Sequence, residues 1–266
     1  MPLDLPRLSR QPAYRSVTDH LSQRIVAGDI ALGDALPTET ELAERFGVHR
    51  TTVREGLRLL EQDGLVQRRG KRLIVCAPSP SNAARSGERA LRLQQVSLLD
   101  VFQVALALEP MCAQVAASQA TAADVAALDD NLARTEAIVA RGASPVEVDL
   151  EFQSLVALAT HNAALLLARA PISRLMHLGY AIVAPALPQS GARLLQAHRH
   201  IADAIASRDA AAAEHWMRRH MLDYRRGCEA AGVDMRAPLP DGQPAHAACP
   251  PAVPLSPAPH GLPFRG

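Results

Sequence analysis

The sequence predicts a mainly α protein in two parts: three helices followed by a β-hairpin, then an all-α antiparallel helical bundle. Three observations predict it. Residues 14–76 place apolar side chains at helical periods and then in a short alternating run. Residues 94–232 are rich in Ala and Leu, with sustained 3.6-residue periodicity and little strand signal. Between them, Ala77–Gly87 (APSPSNAARSG) is small, polar and Pro-containing, as linkers are. The expected boundaries are therefore residues 1–77, a linker over 78–93, a helical domain over 94–232, and a tail over 233–266. That tail holds 9 of the 20 prolines and few bulky apolar residues. It cannot bury enough surface to offset its ordering entropy, so disorder is expected.

Composition bounds the function more weakly. The 28 basic and 27 acidic residues nearly cancel, so only the local distribution of charge can point to nucleic acid. Lys71 is the sole lysine, and the surplus of arginine with alanine reads as a GC-rich coding bias rather than as phosphate binding. Cys76, Cys112, Cys228 and Cys249 are scattered without CxxC spacing, which fits free thiols in a reducing compartment. Met1–Arg10 lacks the apolar core of a signal peptide, and no apolar stretch approaches the ~20 residues of a bilayer span. The expectation is a soluble, cytoplasmic chain with no membrane partner.

The first part carries the clearest chemistry. In Pro37–Leu65 two short helices meet at Phe46-Gly47-Val48, where Gly47 permits a tight turn. Leu42, Ala43, Val48, Val53 and Leu57 supply a small core between them. The second helix begins after Val48 and presents His49, Arg50, Thr51, Thr52 and Arg54 near its N-terminal end. A recognition helix needs polar groups there, because that end enters the major groove. Val66–Val75 then reads as strand, basic turn, strand, with Arg69 and Gly70 at the tip. Between Arg45 and Arg72 eight basic residues face only Glu55, Glu61 and Asp63. This is the pattern of a winged helix-turn-helix, with positive charge placed where phosphates would lie.

In the second part the inner rows can be written out. Leu98, Val101, Ala105, Leu108, Cys112 and Val115 form one; Val125, Leu128, Leu132, Thr135 and Val139 form another. Thr121 with Asp124 is a cap for the second of these helices. Further helices are expected near 145–160, 163–183, 191–207 and 209–231. His198 lies on the row Leu194, His198, Ile201, Ile205, and His220 on Ala213, Met217, His220, Tyr224. Both imidazoles should therefore point into the bundle, where neutral imidazole is a common metal ligand. Asp149 and Gln153 are one turn apart on a single helix face.

The first part resembles the GntR transcriptional regulators. Leu36-Pro37-Thr38-Glu39, Leu42-Ala43, Val48-x-Arg50-x-Thr52-Val53-Arg54-Glu55, Leu57-x-x-Leu60 and Asp63-Gly64-Leu65 carry that resemblance. It implies that Arg50, Thr51, Thr52 and Arg54 contact a double-stranded operator, with Arg69 and Gly70 at the wing tip. His49 departs from the usual Ser or Thr, and the wing has Gly-Lys-Arg-Leu where many members have Gly-x-Gly.

The second part resembles the FadR-type effector domain (FCD) of that family. The residues that carry it are Leu99–Phe102, Leu108-Glu109-Pro110, Val148–Phe152, Ala197–Ile205 and Met217-x-x-His220. Many such domains hold a divalent metal with an Asp, a His four residues later and two further His. Here Asp149, His198 and His220 match, while Gln153 stands at the fourth position. The resemblance thus implies either a three-ligand Zn or Ni site, or a polar pocket in which Asp149, Gln153, His198 and His220 bond an organic effector directly. Ala105 stands where an inward Arg is frequent, which points away from the usual small organic acid to a larger or less acidic effector, with Val101, Leu108, Phe152, Val156 and Met217 as its apolar lining. The function implied is a ligand-responsive repressor binding a pseudo-palindrome as a homodimer. A metal sensor and a metal-dependent hydrolase are the alternatives; against the hydrolase stand the absent nucleophile–base pair and the absent Gly-rich phosphate loop.

Overall fold

A computed structural model describes residues 12–77, 80–187 and 190–239. Met1–Arg10 and the tail beyond 239 lie outside these residues. The chain divides into two compact units, residues 1–82 and 83–266.

The first unit contains α1 (Ala13–Val26), α2 (Glu39–Phe46), α3 (Arg50–Gln62) and an antiparallel hairpin of β1 (Val66–Arg69) and β2 (Arg72–Val75). Thr38 starts α2 with a capping box: its hydroxyl accepts from the Glu41 amide, and the Glu41 carboxylate accepts from the Thr38 amide. Gly47 ends α2 at φ 63°, a left-handed conformation that costs glycine nothing. The core joins Val17 and Leu21 of α1 to Leu42, Val53, Leu57 and Leu60, and to Val66, Leu73 and Val75 of the hairpin. Gly56 is where α1 meets α3: a Cβ there would stand 3.0 Å from the Tyr14 carbonyl oxygen and 3.1 Å from Val17 Cγ1. Thr18 bridges the same contact by donating to the carbonyls of Tyr14 and Gly56.

The second unit contains α4 (Pro80–Leu93), α5 (Leu98–Gln119), α6 (Ala122–Ala140), α7 (Val146–Leu158), α8 (Ala163–Ala186), α9 (Ser190–Ala206) and α10 (Ala210–Ala230). α5 is central and packs against α7, α8, α9 and α10. Ser97 with Asp100 and Thr121 with Asp124 form capping boxes that start α5 and α6. The buried face of α5 runs through Val101, Phe102, Ala105, Glu109, Cys112, Ala113 and Ala116. Leu108 and Val115, expected inside, are only half-buried. The strict 3,4 row drifts off a real helix face over five turns, and Glu109 takes the inner place.

That place is occupied by an ion pair. Arg169 of α8 donates from Nε to Glu109 Oε1 at 3.0 Å and from Nη2 to Ser173 Oγ at 3.1 Å. The two side chains are 3% and 2% exposed, so this charge pair is sealed in the bundle. α5 is also long and apolar enough, by length and composition, to cross a membrane. That corrects the expectation that no stretch approaches a span; here the helix is the core of a bundle and carries one half of a buried ion pair.

Two boundaries also need correction. Residues 78–93, expected as a linker, are mostly helix α4: Pro80 opens it, where a missing N–H costs nothing, and the later Ala and Arg residues are good helix formers. Glu88 holds α4 to α8 by accepting from Arg174 at 2.8 Å and from Arg92 at 3.1 Å, while Gly87 lies against Pro171. Residues 233–239, expected as disordered, continue onto the bundle. Leu99 donates to the Met235 carbonyl, Leu239 donates to the Val96 carbonyl, and Met235 is buried. Three apolar side chains, Val233, Met235 and Leu239, pack there against the core.

Arg169→Met would leave Glu109 buried without its counter-charge. Breaking a buried pair from one side costs about 3–5 kcal/mol, whereas replacing both partners is far milder. The expected outcome in calorimetric unfolding of the full chain is a large fall in Tm for Arg169→Met, with most of it recovered in Glu109→Leu/Arg169→Met.

Candidate nucleic-acid interface and buried Asp-His-His centre

In the first unit, His49 is the N-cap of α3 but makes no side-chain cap bond. The His49 carbonyl accepts from the Thr52 and Val53 amides, while no side chain of the N-cap covers the Arg50 and Thr51 amides, so the positive end of the helix is available to a phosphate. His49, Arg50, Thr51 and Arg54 are exposed and Thr52 is half-buried, all at this end. Arg69 and Gly70 are exposed at the hairpin turn, where Gly70 takes φ 61°. The turn Gly70-Lys71 thus closes the hairpin without the second glycine.

Arg54 is not a freely moving cation. Its Nε and Nη2 both donate to the Glu39 carboxylate, the shorter contact being 2.9 Å. Arg54 holds the Glu39 carboxyl below the ordinary carboxylate range, chiefly through these hydrogen bonds. Glu39 thereby ties the first turn of α2 to the second turn of α3.

In the second unit, Asp149 (first turn of α7), His198 (α9) and His220 (α10) converge. His198 Nε2 lies 3.0 Å and His220 Nε2 3.6 Å from Asp149 Oδ1. One ligating atom from each of the three lies within 4.8 Å of the other two. Phe152 stacks on the His198 ring at 3.8 Å, fixing its plane. Gln153 is buried beside Asp149, and its amide donates to the Tyr180 hydroxyl at 3.1 Å; that hydroxyl lies 3.5 Å from His220 Nε2.

The electrostatics are unusual for a hydrophobic core. Asp149 and His198 are wholly buried, yet neither carboxylate oxygen and neither nitrogen of His198 has a hydrogen-bond partner of good geometry. Burial pushes the Asp149 carboxyl up to about 6, against the opposing pull of His220 and of the nearby Gln153 and Tyr180. Burial pushes His198 down to about 3, and burial with the charge of His198 pushes His220 down to about 4. Two neutral imidazoles facing a desolvated carboxylate are the donor set of a divalent transition-metal site, so the residues fit such an ion. His198 Nδ1 lacks the outer partner that usually fixes a ligand's tautomer.

Two residues escaped the sequence reading. Tyr180 and His177 both lie on α8, whose nearly continuous apolar run hid them. His177 Nδ1 is buried and unpartnered, and burial pushes this imidazole below its ordinary range. The expected apolar lining is corrected: Val101, Phe152, Val156 and Met217 are close-packed core, and Leu108 is half-buried on α5. The cavity beside the cluster lies elsewhere, between α7, α8, α9 and α10. Its volume is about 60 Å³, with Tyr180 and His220 at its inner side.

The proton balance of this cluster gives a pH dependence. Unfolding in the metal-free chain returns both imidazoles to 6.5 and the carboxyl to 3.8. The imidazoles stabilise the folded state fully above 6.5, and that contribution is lost as pH falls towards 4 and 3. Asp149 acts oppositely, contributing below 3.8 and losing its contribution as pH rises through about 6. Between roughly pH 4 and 6 unfolding therefore takes up two protons and releases one. Stability is expected to fall with falling pH by ~1.4 kcal/mol per unit, and about twice as steeply in Asp149→Asn, by urea titration at stepped pH.

Residues 13–74 match the bacterial regulatory proteins of the gntR family, and residues 100–223 match the FCD domain. The chain is 32% identical over 150 residues to the Uxu operon regulator of Haemophilus influenzae, covering 56% of this chain and 55% of that protein. It is 33% identical over 156 residues to the Exu regulon transcriptional regulator of Escherichia coli K12, covering 57% and 58%. The aligned region thus spans little more than half the length of these relatives. Among solved structures, Streptococcus agalactiae GntR superposes with a TM-score of 0.56 at 26% identity, over 80% of this chain and 99% of that one. The helix-turn-helix with its wing and the bundle that follows are the two parts of this architecture, and the chain belongs to the GntR family, with an FCD domain after its DNA-binding segment.

Proposed function

We propose that this chain is a ligand-responsive, cytoplasmic repressor that binds a pseudo-palindromic DNA operator as a homodimer and leaves it when an effector enters the helical bundle. The observation that carries the reading is the exposed, uncapped start of α3 with its polar row, followed by a basic hairpin tip. Arg50 supplies a fork-shaped donor to base edges or phosphates, Arg54 offers the Nη1 group that Glu39 leaves open, Thr51 and Thr52 supply hydroxyls and methyls, and the Arg69-Gly70 tip reaches the backbone or minor groove. His49, at the N-cap, adds an imidazole at the phosphate-facing end. Two-fold symmetry of the protein would match two-fold symmetry of the operator.

Effector control requires different affinities for two arrangements of the dimer. α8 supports such coupling: it carries Tyr180 beside the Asp149 centre and Arg174 against Glu88 of α4, the helix that follows the DNA-binding segment. A displacement of α8 at the centre would move its contact with α4.

The orphaned oxygens of Asp149 favour a second element of the reading, a divalent Zn or Ni ion held by Asp149, His198 and His220. Such an ion would supply positive charge and open coordination positions for an effector, or would itself be the effector of a metal sensor. Gln153 is turned to Tyr180 and acts as a hydrogen-bonding neighbour of the site. Hydrolysis at this centre has no support: no Ser or Cys nucleophile stands in it, and the relatives reported above are regulators.

Two outcomes are expected. In footprinting on the operator found by in vitro selection, Arg50→Ala abolishes the specific footprint. Lys71→Ala weakens binding to all sequences alike and reduces the salt slope by ~1. Undisturbed selectivity in Arg50→Ala would overturn the recognition-helix assignment. Zinc titrated into the full chain binds stoichiometrically near pH 7.5, and affinity drops as pH falls through about 6, where Asp149 takes up its proton. His198→Ala abolishes it; equal zinc binding in that variant would remove the metal from the reading.

A further inference from the structure

The corner between α4 and α5 is sharp and poorly made by its own residues. α4 ends with Gln95 at φ 53°, one of three non-glycine residues in the left-handed region among the described residues. The Gln95 and Val96 amides turn back to the carbonyls of Arg92 and Leu91, the second at a long 3.4 Å. α5 then starts within two residues. Its capping box satisfies the Asp100 amide through Ser97 Oγ and the Ser97 amide through the Asp100 carboxylate. The Leu99 amide lies in the same first turn, which offers it no partner inside the helix.

The chain after α10 supplies what the corner lacks. Gly232 turns at φ 74°, and residues 233–239 run back across the start of α5. The Met235 carbonyl accepts from the Leu99 amide at 2.8 Å, Pro238 bridges Ser97, and the Leu239 amide donates to the Val96 carbonyl at 3.1 Å. Backbone bonds therefore fall on both sides of the Ser97 cap. Met235 is 7% exposed, and Val233 and Leu239 add apolar contact to a core that includes Leu91, Val96 and Leu99. The asparagine-like turn of Asp234, whose carboxylate accepts from the Arg236 amide, holds the segment in this path. α4 is thus secured at two places: in its middle by Glu88 and Gly87 against α8, and at its end by this strap.

We propose that residues 233–239 are a brace that keeps α4 stiff, and that this stiffness sets how strongly the two DNA-binding segments of a dimer act together on one operator. α4 follows the DNA-binding segment directly in the chain. Once one segment of a dimer is bound, the local concentration of the other at its half-site depends on the stiffness of what joins them. A loosened corner spreads the second segment over more positions and leaves the contacts of each segment with its own half-site unchanged. The proposal rests on the dimeric operator reading above.

The test uses the full chain with Met235→Asp, which places a charge in the buried slot of the strap, and with Leu239→Pro, which removes the donor to Val96. Arg236→Ala, at an exposed strap position, is the control. Thermal unfolding checks each variant; if Met235→Asp unfolds the bundle, Leu239→Pro decides alone. Amide hydrogen exchange and binding to a complete operator and to a single half-site are then compared. Expected in both strap variants is lost protection over residues 90–99 and operator affinity lowered about tenfold, with half-site affinity unchanged. Arg236→Ala should match the wild type. Unchanged protection over residues 90–99, unchanged operator affinity, or equal losses on operator and half-site would overturn the proposal. A wild-type chain that gains nothing from the second half-site would instead remove the dimeric operator reading, and the exchange data would still decide whether the strap stiffens α4.

Discussion

A carboxylate sealed inside an all-α bundle is the constraint around which the second unit is arranged. Asp149 has no exposed surface, and its oxygens lack hydrogen-bond partners of good geometry. A buried charge in that state is tolerated only where something offsets its lost hydration. Four helices direct groups towards it: Gln153 from its own helix, Tyr180 and His177 from α8, His198 from α9 and His220 from α10. The stack of Phe152 on His198 shows how closely polar and apolar packing are interwoven there. The centre is part of the core and does not sit in a separate cleft.

The same bundle contains a second buried charge solved in the opposite way. Glu109 meets Arg169 directly, with Ser173 taking a further donor, so that one pair is compensated by side chains alone. α8 supplies the partner of Glu109, places Tyr180 beside Gln153 and His220 at the other centre, and reaches α4 through Arg174. One long helix therefore connects both polar interiors with the segment that follows the DNA-binding unit.

The DNA-binding unit was largely legible in the sequence, because its signals are local. A Thr cap, a Gly turn and a basic hairpin each act within a few residues, and the structure brings them together in that order. The inward direction of His198 and His220 was readable for the same reason, since each lies on a clean apolar row. What was not legible depends on distant partners. Nothing near Arg169 announces Glu109, sixty residues earlier in the chain. Tyr180 and His177 were hidden in an apolar run whose rows admit several faces. α4 was missed because Pro80, Ser81, Asn82, Ser86 and Gly87 cluster in its first half and read as a linker, although its first-turn proline is compatible with a helix. Residues 233–239 were misread because three apolar side chains were outweighed by the proline-rich sequence beyond them.

The packing of His198 against Phe152 has a consequence for how such a regulator can diverge. A change to either ring disturbs the bundle itself, so the buried centre can vary only at a cost to folding. The first turn of α9 is under no such restraint: Arg193 is exposed and bonded to nothing acidic among the described residues. Single substitutions can accumulate along that rim, while the interior stays fixed as a shared chassis. A lineage built this way would change its rim faster than it changes how it folds.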